Sequence, residues 1–193
     1  MQIKYEFRET TPQRTFIGNP YNDYRRYKDF LRNDFNNRCG YTDCPDIWFG
    51  GKRCFHIDHF KSKSKHPYLV TSYSNLVYSC SYVNIQKSDD EGMYLDPCDT
   101  DFNQHFFRDD KGNIQPISAS AEARYMHKKL KLGLRRYGLI WMLDQLRIKK
   151  TEIRELLNGA IHSQHPKRVE LLEAYLLLDS EFNNYFDYLG TEL

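Results

Sequence analysis

The run His56-Ile57-Asp58-His59-Phe60 sets a carboxylate beside an imidazole, and two asparagines follow it, Asn75 sixteen residues after His59 and Asn84 nine residues further on. Groups of these types can together cut a phosphodiester. Hydrolysis needs a deprotonated water, neutralised charge at phosphorus and a stabilised leaving oxygen, and a bound divalent cation supplies the last two. Mg²⁺ takes oxygen ligands and keeps several waters, so one carboxylate and one amide suffice; Asp58 and Asn84 make such a pair. An ordinary imidazole titrates near ~6.5, so neutral His59 is plentiful near neutral pH and can act as a general base, a role worth about 10²–10⁴-fold. The other histidines, His56, His66, His105, His127, His162 and His165, lack such companions and read as structural or solvated.

These groups need a scaffold that brings them together. Adjacent strand residues point to opposite faces, so Asp58 and His59 share a site only if their strand ends or twists there. A loop from Lys61 to Tyr73, broken by Pro67, follows. Ser74 or Asn75 can cap a helix, and Leu76, Val77, Cys80 and Val83 form an apolar stripe that predicts a helix from Asn75 to Gln86. Upstream, the pattern predicts an extended arm over 1–19 and a helix over 20–37 with Tyr24, Tyr27, Leu31 and Phe35 on its core side. A hairpin over 38–60 should turn at Gly50-Gly51. Downstream, 89–117 reads as a non-helical insert with a hairpin turning at Asp109–Gly112, and the chain from Ser118 onward reads as helical. There Leu132, Leu139, Leu143 and Leu146 make one apolar face, and Ile153, Leu156 and Leu157 another. Pro166 opens a further helix with Leu172, Tyr175 and Leu176 inward, and a short aromatic, acidic segment, Glu181–Leu189, ends the chain.

The text Asp58-His59-Phe60, Lys61-Ser62-Lys63-Ser64, Ser74-Asn75-Leu76-Val77 and Cys80-Ser81-Tyr82-Val83-Asn84-Ile85-Gln86-Lys87-Ser88 resembles the HNH, or ββα-metal, nuclease family over residues 38–90. The resemblance implies an α+β fold: a ββα-metal nuclease core with an N-terminal helix and a C-terminal helical bundle. Its boundaries would be an arm and helix over 1–37, the core over 38–90, the insert over 91–117 and a helical region over 118–193. It implies that His59 is the catalytic base, that Asn75 tethers the loop carrying it, and that Asp58 and Asn84 hold Mg²⁺ or Mn²⁺. The substrate would be nucleic acid, double-stranded DNA, cut to leave 3′-hydroxyl and 5′-phosphate ends. Many such proteins brace the core with zinc on two Cys-x-x-Cys pairs. Here Thr42 and Val83 stand where the second cysteine of each pair would be. Structural zinc wants four ligands, so the expectation is no zinc and Cys39 and Cys80 as small core residues. The rival is a site rebuilt from Cys39, Cys44, Cys80 and either Cys54 or His56. Leu95-Asp96-Pro97, His105-Phe106-Phe107, Gly112-Asn113-Ile114 and Leu132-Gly133-Leu134 are further similar to a bacterial group of HNH proteins paired with an ATPase in Septu and retron-associated phage defence. That likeness implies an ATPase partner.

With 28 basic and 26 acidic side chains the net charge is only +2, so any attraction for phosphate must be local. Nine basic residues and one acid, Asp144, fall between Arg124 and Lys150. Lys128, Lys129, Arg135 and Arg136 are therefore candidate phosphate contacts, as are Lys61, Lys63 and Lys87 near the motif; a solvated face is the plain alternative. Five cysteines, and no apolar signal segment at the N-terminus, argue against a secreted disulfide scaffold. No stretch reaches membrane-spanning length, and a cytoplasmic location is expected. The alternative to catalysis is a nucleic-acid-binding or partner-docking subunit with an idle site, which would have no use for a general base.

Overall fold

The computed structural model describes residues 3–159, 161 and 165–191. It has a mixed α+β fold in two compact units, 1–137 and 138–193. In the first unit the elements run β1 (Tyr5–Glu6), α1 (Lys28–Asp34), β2 (Phe55–His59), β3 (Leu76–Cys80), α2 (Ser81–Lys87), β4 (Phe106–Arg108), β5 (Ile114–Pro116) and α3 (Ala121–Lys129). Helix α4 (Arg135–Asn158) begins there and continues into the second unit, which also holds α5 (Arg168–Thr191).

Strands β2 and β3 form an antiparallel pair in which Asp58 sits opposite Val77 and His59 opposite Leu76, and α2 follows β3 directly. This corrects the expected helix over Asn75–Gln86, whose first half is a strand. All five β3 residues are buried, and a strand covered on both faces reads as a continuous apolar run that periodicity cannot tell from helix. Branched and aromatic side chains at Val77 and Tyr78 favour the pleat, and Cys80, with extended backbone, starts the helix at Ser81. The expected hairpin over 38–60 is also displaced. Residues 38–54 hold only an isolated bridge, Arg38 with Pro45, and two 3-10 turns. Gly50 and Gly51, at φ 91° and 79°, join those turns rather than two strands.

The arm contributes β1, which joins β4 and β5 in a second sheet of order β1-β4-β5, and the hairpin of β4 and β5 turns where the sequence places it. Phe7 packs its ring on Phe102 and Phe106. Arg108 is fully buried, donating to the carbonyls of Phe7 (3.3 Å), Gly112 (2.9 Å) and Thr42 (2.6 Å). Helix α1, extended by a 3-10 turn over Tyr24–Tyr27, buries Tyr27, Leu31 and Phe35, but Tyr24 is only half-buried. In the second unit α4 and α5 form a helical pair. Lys150 of α4 meets Asp179 at 2.5 Å and lies over the Phe182 ring. Tyr175, Asp179 and Phe182 recur at helical spacing on that face of α5. Leu172 and Leu176, expected inward, are instead exposed, and the Glu181–Leu189 segment is the end of α5 rather than a separate piece. Leu132 is buried in the link between α3 and α4, not on a helical face. No described helix is long and apolar enough to cross a membrane.

One buried polar knot fastens α1 to β3. The Asp46 carboxylate accepts from Arg32 Nε at 2.6 Å and from the Tyr78 hydroxyl at 2.7 Å. Asp46→Ala leaves the Tyr78 hydroxyl dry and without an acceptor, while the partly exposed Arg32 can turn to water. A loss of about 1–3 kcal/mol is expected, read as a lower urea midpoint at constant slope. An unchanged midpoint would show that the knot contributes nothing.

Candidate functional site

A cavity of about 640 Å³ opens over β2, with Asp58, His59, His56 and Asn84 among its lining residues. Four segments build it: the strand, the loop from Phe60 to Asn75, the start of the α1 region, and the stretch from Asn84 to Asp89 at the end of α2. Asn75 fixes the loop by its side chain. Its Oδ1 accepts from Lys61 N at 2.8 Å and its Nδ2 donates to Lys61 O at 3.0 Å, while its own carbonyl accepts from Phe60 N. The loop is further held by Glu91, which accepts from Ser62 N at 3.1 Å and meets His66 at 3.0 Å.

His59 is 8 % exposed, and its Nε2 lies 3.0 Å from the Val70 carbonyl. A carbonyl only accepts, so Nε2 carries the proton and Nδ1 keeps the lone pair in the neutral ring. The Tyr24 ring packs edge-on at 4.7 Å between centroids. Burial, opposed by the Val70 hydrogen bond and reinforced by Lys63 and Lys87, holds the imidazole below its ordinary range. The neutral form is therefore the one the fold favours.

Asp58 and Asn84 line the same cavity but do not partner each other. The Asp58 carboxylate, 3 % exposed, accepts from the Tyr41 hydroxyl at 2.6 Å and lies 3.3 Å from Lys87 Nζ. Burial pushes its carboxyl above the usual range, against the pull of Lys87 and Tyr41. Asn84 instead has its Nδ2 3.1 Å from His56 Nδ1. Lys87 is not a phosphate contact: it is fully buried, and its ammonium also donates to the His59 carbonyl at 2.8 Å. Lys63 lines the cavity, whereas Lys61 is exposed beside it and Lys128, Lys129, Arg135 and Arg136 lie elsewhere. Arg136 lies over the Phe49 ring.

Tyr24, Arg25, Lys28, His56 and Asp89 also line the cavity, although the sequence assigns none of them to this site. Tyr24, Arg25 and Lys28 come from the start of the α1 region, where the run Tyr24-Arg25-Arg26-Tyr27-Lys28 mixes rings and cations in a way that could have flagged it. His56 stands two residues before Asp58, the spacing that puts both on one face of a strand. A carboxylate, an amide and an imidazole on one cavity wall are a donor set that suits a divalent cation keeping part of its water shell. Among the described residues no group of three or more His, Cys, Asp or Glu forms a metal cluster.

Of the cysteines, Cys39, Cys44 and Cys80 are buried and Cys54 is exposed. Burial opposes ionisation of Cys39, but hydrogen bonds from the Cys80 thiol, the Thr42 hydroxyl and the Cys80 and Tyr41 N–H groups bring it down to about 6. Cys44 is pushed up to about 12 by burial. Thr42, in the place of a cysteine, thus takes part as a donor to sulfur.

The state of His59 can be read by proton NMR. Its titration should lie below ~6.5, the ordinary imidazole value. Stability should then be fully present above that value and decline as pH falls toward the lower folded value, because the unfolded chain protonates first. A midpoint at or above the ordinary value would show that burial does not outweigh the Val70 hydrogen bond. No family model, curated protein or solved structure matches the chain.

Proposed function

We propose that the chain is a divalent-cation-dependent nuclease of the HNH type, hydrolysing phosphodiester bonds of nucleic acid, with DNA the substrate implied by its motif. The observation that carries this reading is the setting of His59. Its ring is fixed by a carbonyl, its basic Nδ1 is left free for a proton, and it stands on the wall of a cavity shared with Asp58 and Asn84. His59 takes the proton from the attacking water. Asn75 positions the loop beside it, and Lys87 positions Asp58 and the His59 backbone. Asp58 and Asn84 would hold the cation, which when bound supplies charge neutralisation at phosphorus. Arg25, Lys28 and Lys63, all lining the cavity, are placed to meet substrate phosphates.

A second role, partner docking, is favoured by α5, where Leu176 and Leu177 are 65 % and 73 % exposed. It is compatible with catalysis, and the ATPase identity of such a partner rests on the resemblance alone.

Nicking of supercoiled plasmid with Mg²⁺ or Mn²⁺, against an EDTA control, tests the activity. His59→Ala should lower the rate by about 10²–10⁴-fold with the fold retained. A variant within tenfold of the parent would remove His59 from the role. Asn75→Ala should also slow cleavage but leave the divalent-ion titration unchanged, as befits a positioning residue.

The phosphate contacts have their own signature. Each ionic contact contributes about 0.9 to the slope of log affinity against log salt on duplex DNA. Changing Arg25, Lys28 and Lys63 together to Ala should flatten that slope by roughly two to three. The same change at Lys128, Lys129, Arg135 and Arg136 should leave it as it was. The reverse pattern would move the DNA path off the cavity.

A further inference from the structure

The interface between β2 and α2 has two rungs. His56 and Asp58 alternate onto one face of the strand, and Asn84 and Lys87, three apart, share one face of the helix. The inner rung is Asp58 with Lys87, both almost wholly buried. The outer rung is His56 with Asn84, more open to solvent and on the cavity wall. The amide whose oxygen a cation would need is therefore paired with an imidazole, while the carboxylate expected to share that cation is held by an ammonium and a phenol.

We infer that His56 is a ligand of the divalent cation, beside Asn84, and that it tunes the site toward borderline ions such as Mn²⁺, Co²⁺ and Ni²⁺ rather than Mg²⁺. The inference rests on the nuclease reading for the cation's purpose, but not for its binding. The spacing supports it. Two donors at right angles around an ion at about 2.1 Å lie about 3.0 Å apart, and His56 Nδ1 and the Asn84 amide are separated by 3.1 Å. Turning the Asn84 amide over presents Oδ1 in place of Nδ2 without moving the backbone. His56 then needs only its Nε2–H tautomer to offer Nδ1. The outer rung is partly hydrated, so exchanging its hydrogen bond for a cation exposes no buried polar group. Imidazole suits the later divalent metals, whereas Mg²⁺ demands oxygen.

The test is calorimetric titration of the chain, without nucleic acid, with Mn²⁺, Ni²⁺ and Mg²⁺ separately, supported by the electron paramagnetic resonance of free Mn²⁺. The parent and His59→Ala should each bind one Mn²⁺ or Ni²⁺ per chain. His56→Ala, at an exposed position and checked by circular dichroism, should lose more than the ~10–100-fold in affinity that removal of an outer-shell partner brings, for both ions. It should lose less than threefold for Mg²⁺. Equal affinity of parent and His56→Ala for Ni²⁺ overturns the inference, as does absence of binding in the parent. Plasmid nicking separates the two claims. Binding through His56 without nicking sinks the nuclease reading and leaves the ligand standing. Nicking with unaltered Ni²⁺ binding in His56→Ala does the opposite.

Discussion

A single ammonium inside the protein organises the candidate site. Lys87 is fully buried at the last turn of α2, and taking such a charge out of water costs several kcal/mol unless it is fully met. It is met on one side by Asp58 and on the other by the His59 carbonyl. Both partners belong to the end of β2, so the need to satisfy one charge docks the helix on the strand at one register. Asp58 is then not free to swing, and the backbone carrying His59 is pinned from behind. The stability of this arrangement is a consequence of geometry rather than of the ion pair's net strength, since burial raises Asp58 even with the ammonium beside it.

The two sides of His59 show how the chain divides labour between strand and loop. The strand delivers the imidazole but cannot orient it, because adjacent residues on β2 face opposite ways. Orientation comes from the loop, through the Val70 carbonyl, and the loop is shaped by Asn75. Asn75 thus acts on the ring at one remove: it holds Lys61, and it also lies 3.4 Å from the Leu69 carbonyl, next to the residue that fixes the tautomer. An asparagine suits the task because a primary amide both accepts and donates, matching one N–H and one carbonyl of the same residue.

Much of the site was legible because its chemistry sits in rare residue types at fixed intervals. Asp58, His59 and Asn84 do line one cavity, and Asn75 does tie the loop. The mixed α+β class and the hairpin at Asp109–Gly112 were also within reach of pattern. What was not legible follows from burial. A strand covered on both faces loses its alternation, so β3 reads as helix. Lys87 reads as a surface cation because a lone lysine carries no sign of the carboxylate that will meet it. His56 reads as structural, or as a ligand of a rebuilt zinc site, since its partner, Asn84, lies 28 residues away. On α5 the expected Tyr175 does meet Lys150, but leucines point to Leu172 and Leu176, whereas Asp179 and Phe182 complete the inward face.

A two-stranded hairpin is marginal by itself, and here its support comes from hydrogen bonds converging from several directions. The loop over Cys39–Cys44 closes by Cys39 N to Cys44 O at 3.0 Å, and Gly40 N reaches the Tyr78 carbonyl of β3 at 2.8 Å. A Cβ at Gly40 would come within 2.7 Å of both Phe35 and Val77, so the approach requires glycine. From the second sheet Arg108 reaches the Thr42 carbonyl, and from the arm just beyond β1 Arg8 reaches the Gly40 carbonyl at 2.7 Å. Two guanidiniums, each at most 3 % exposed, thus end on carbonyls of the same short loop. Charged donors strengthen a hydrogen bond roughly twofold, so these two bonds hold the loop firmly to its neighbours. The N-terminal arm and the β4–β5 hairpin, far from β2 in sequence, are in this way structural parts of the site: without them the loop that carries Tyr41, the hydrogen-bond donor to Asp58, would lose its seat.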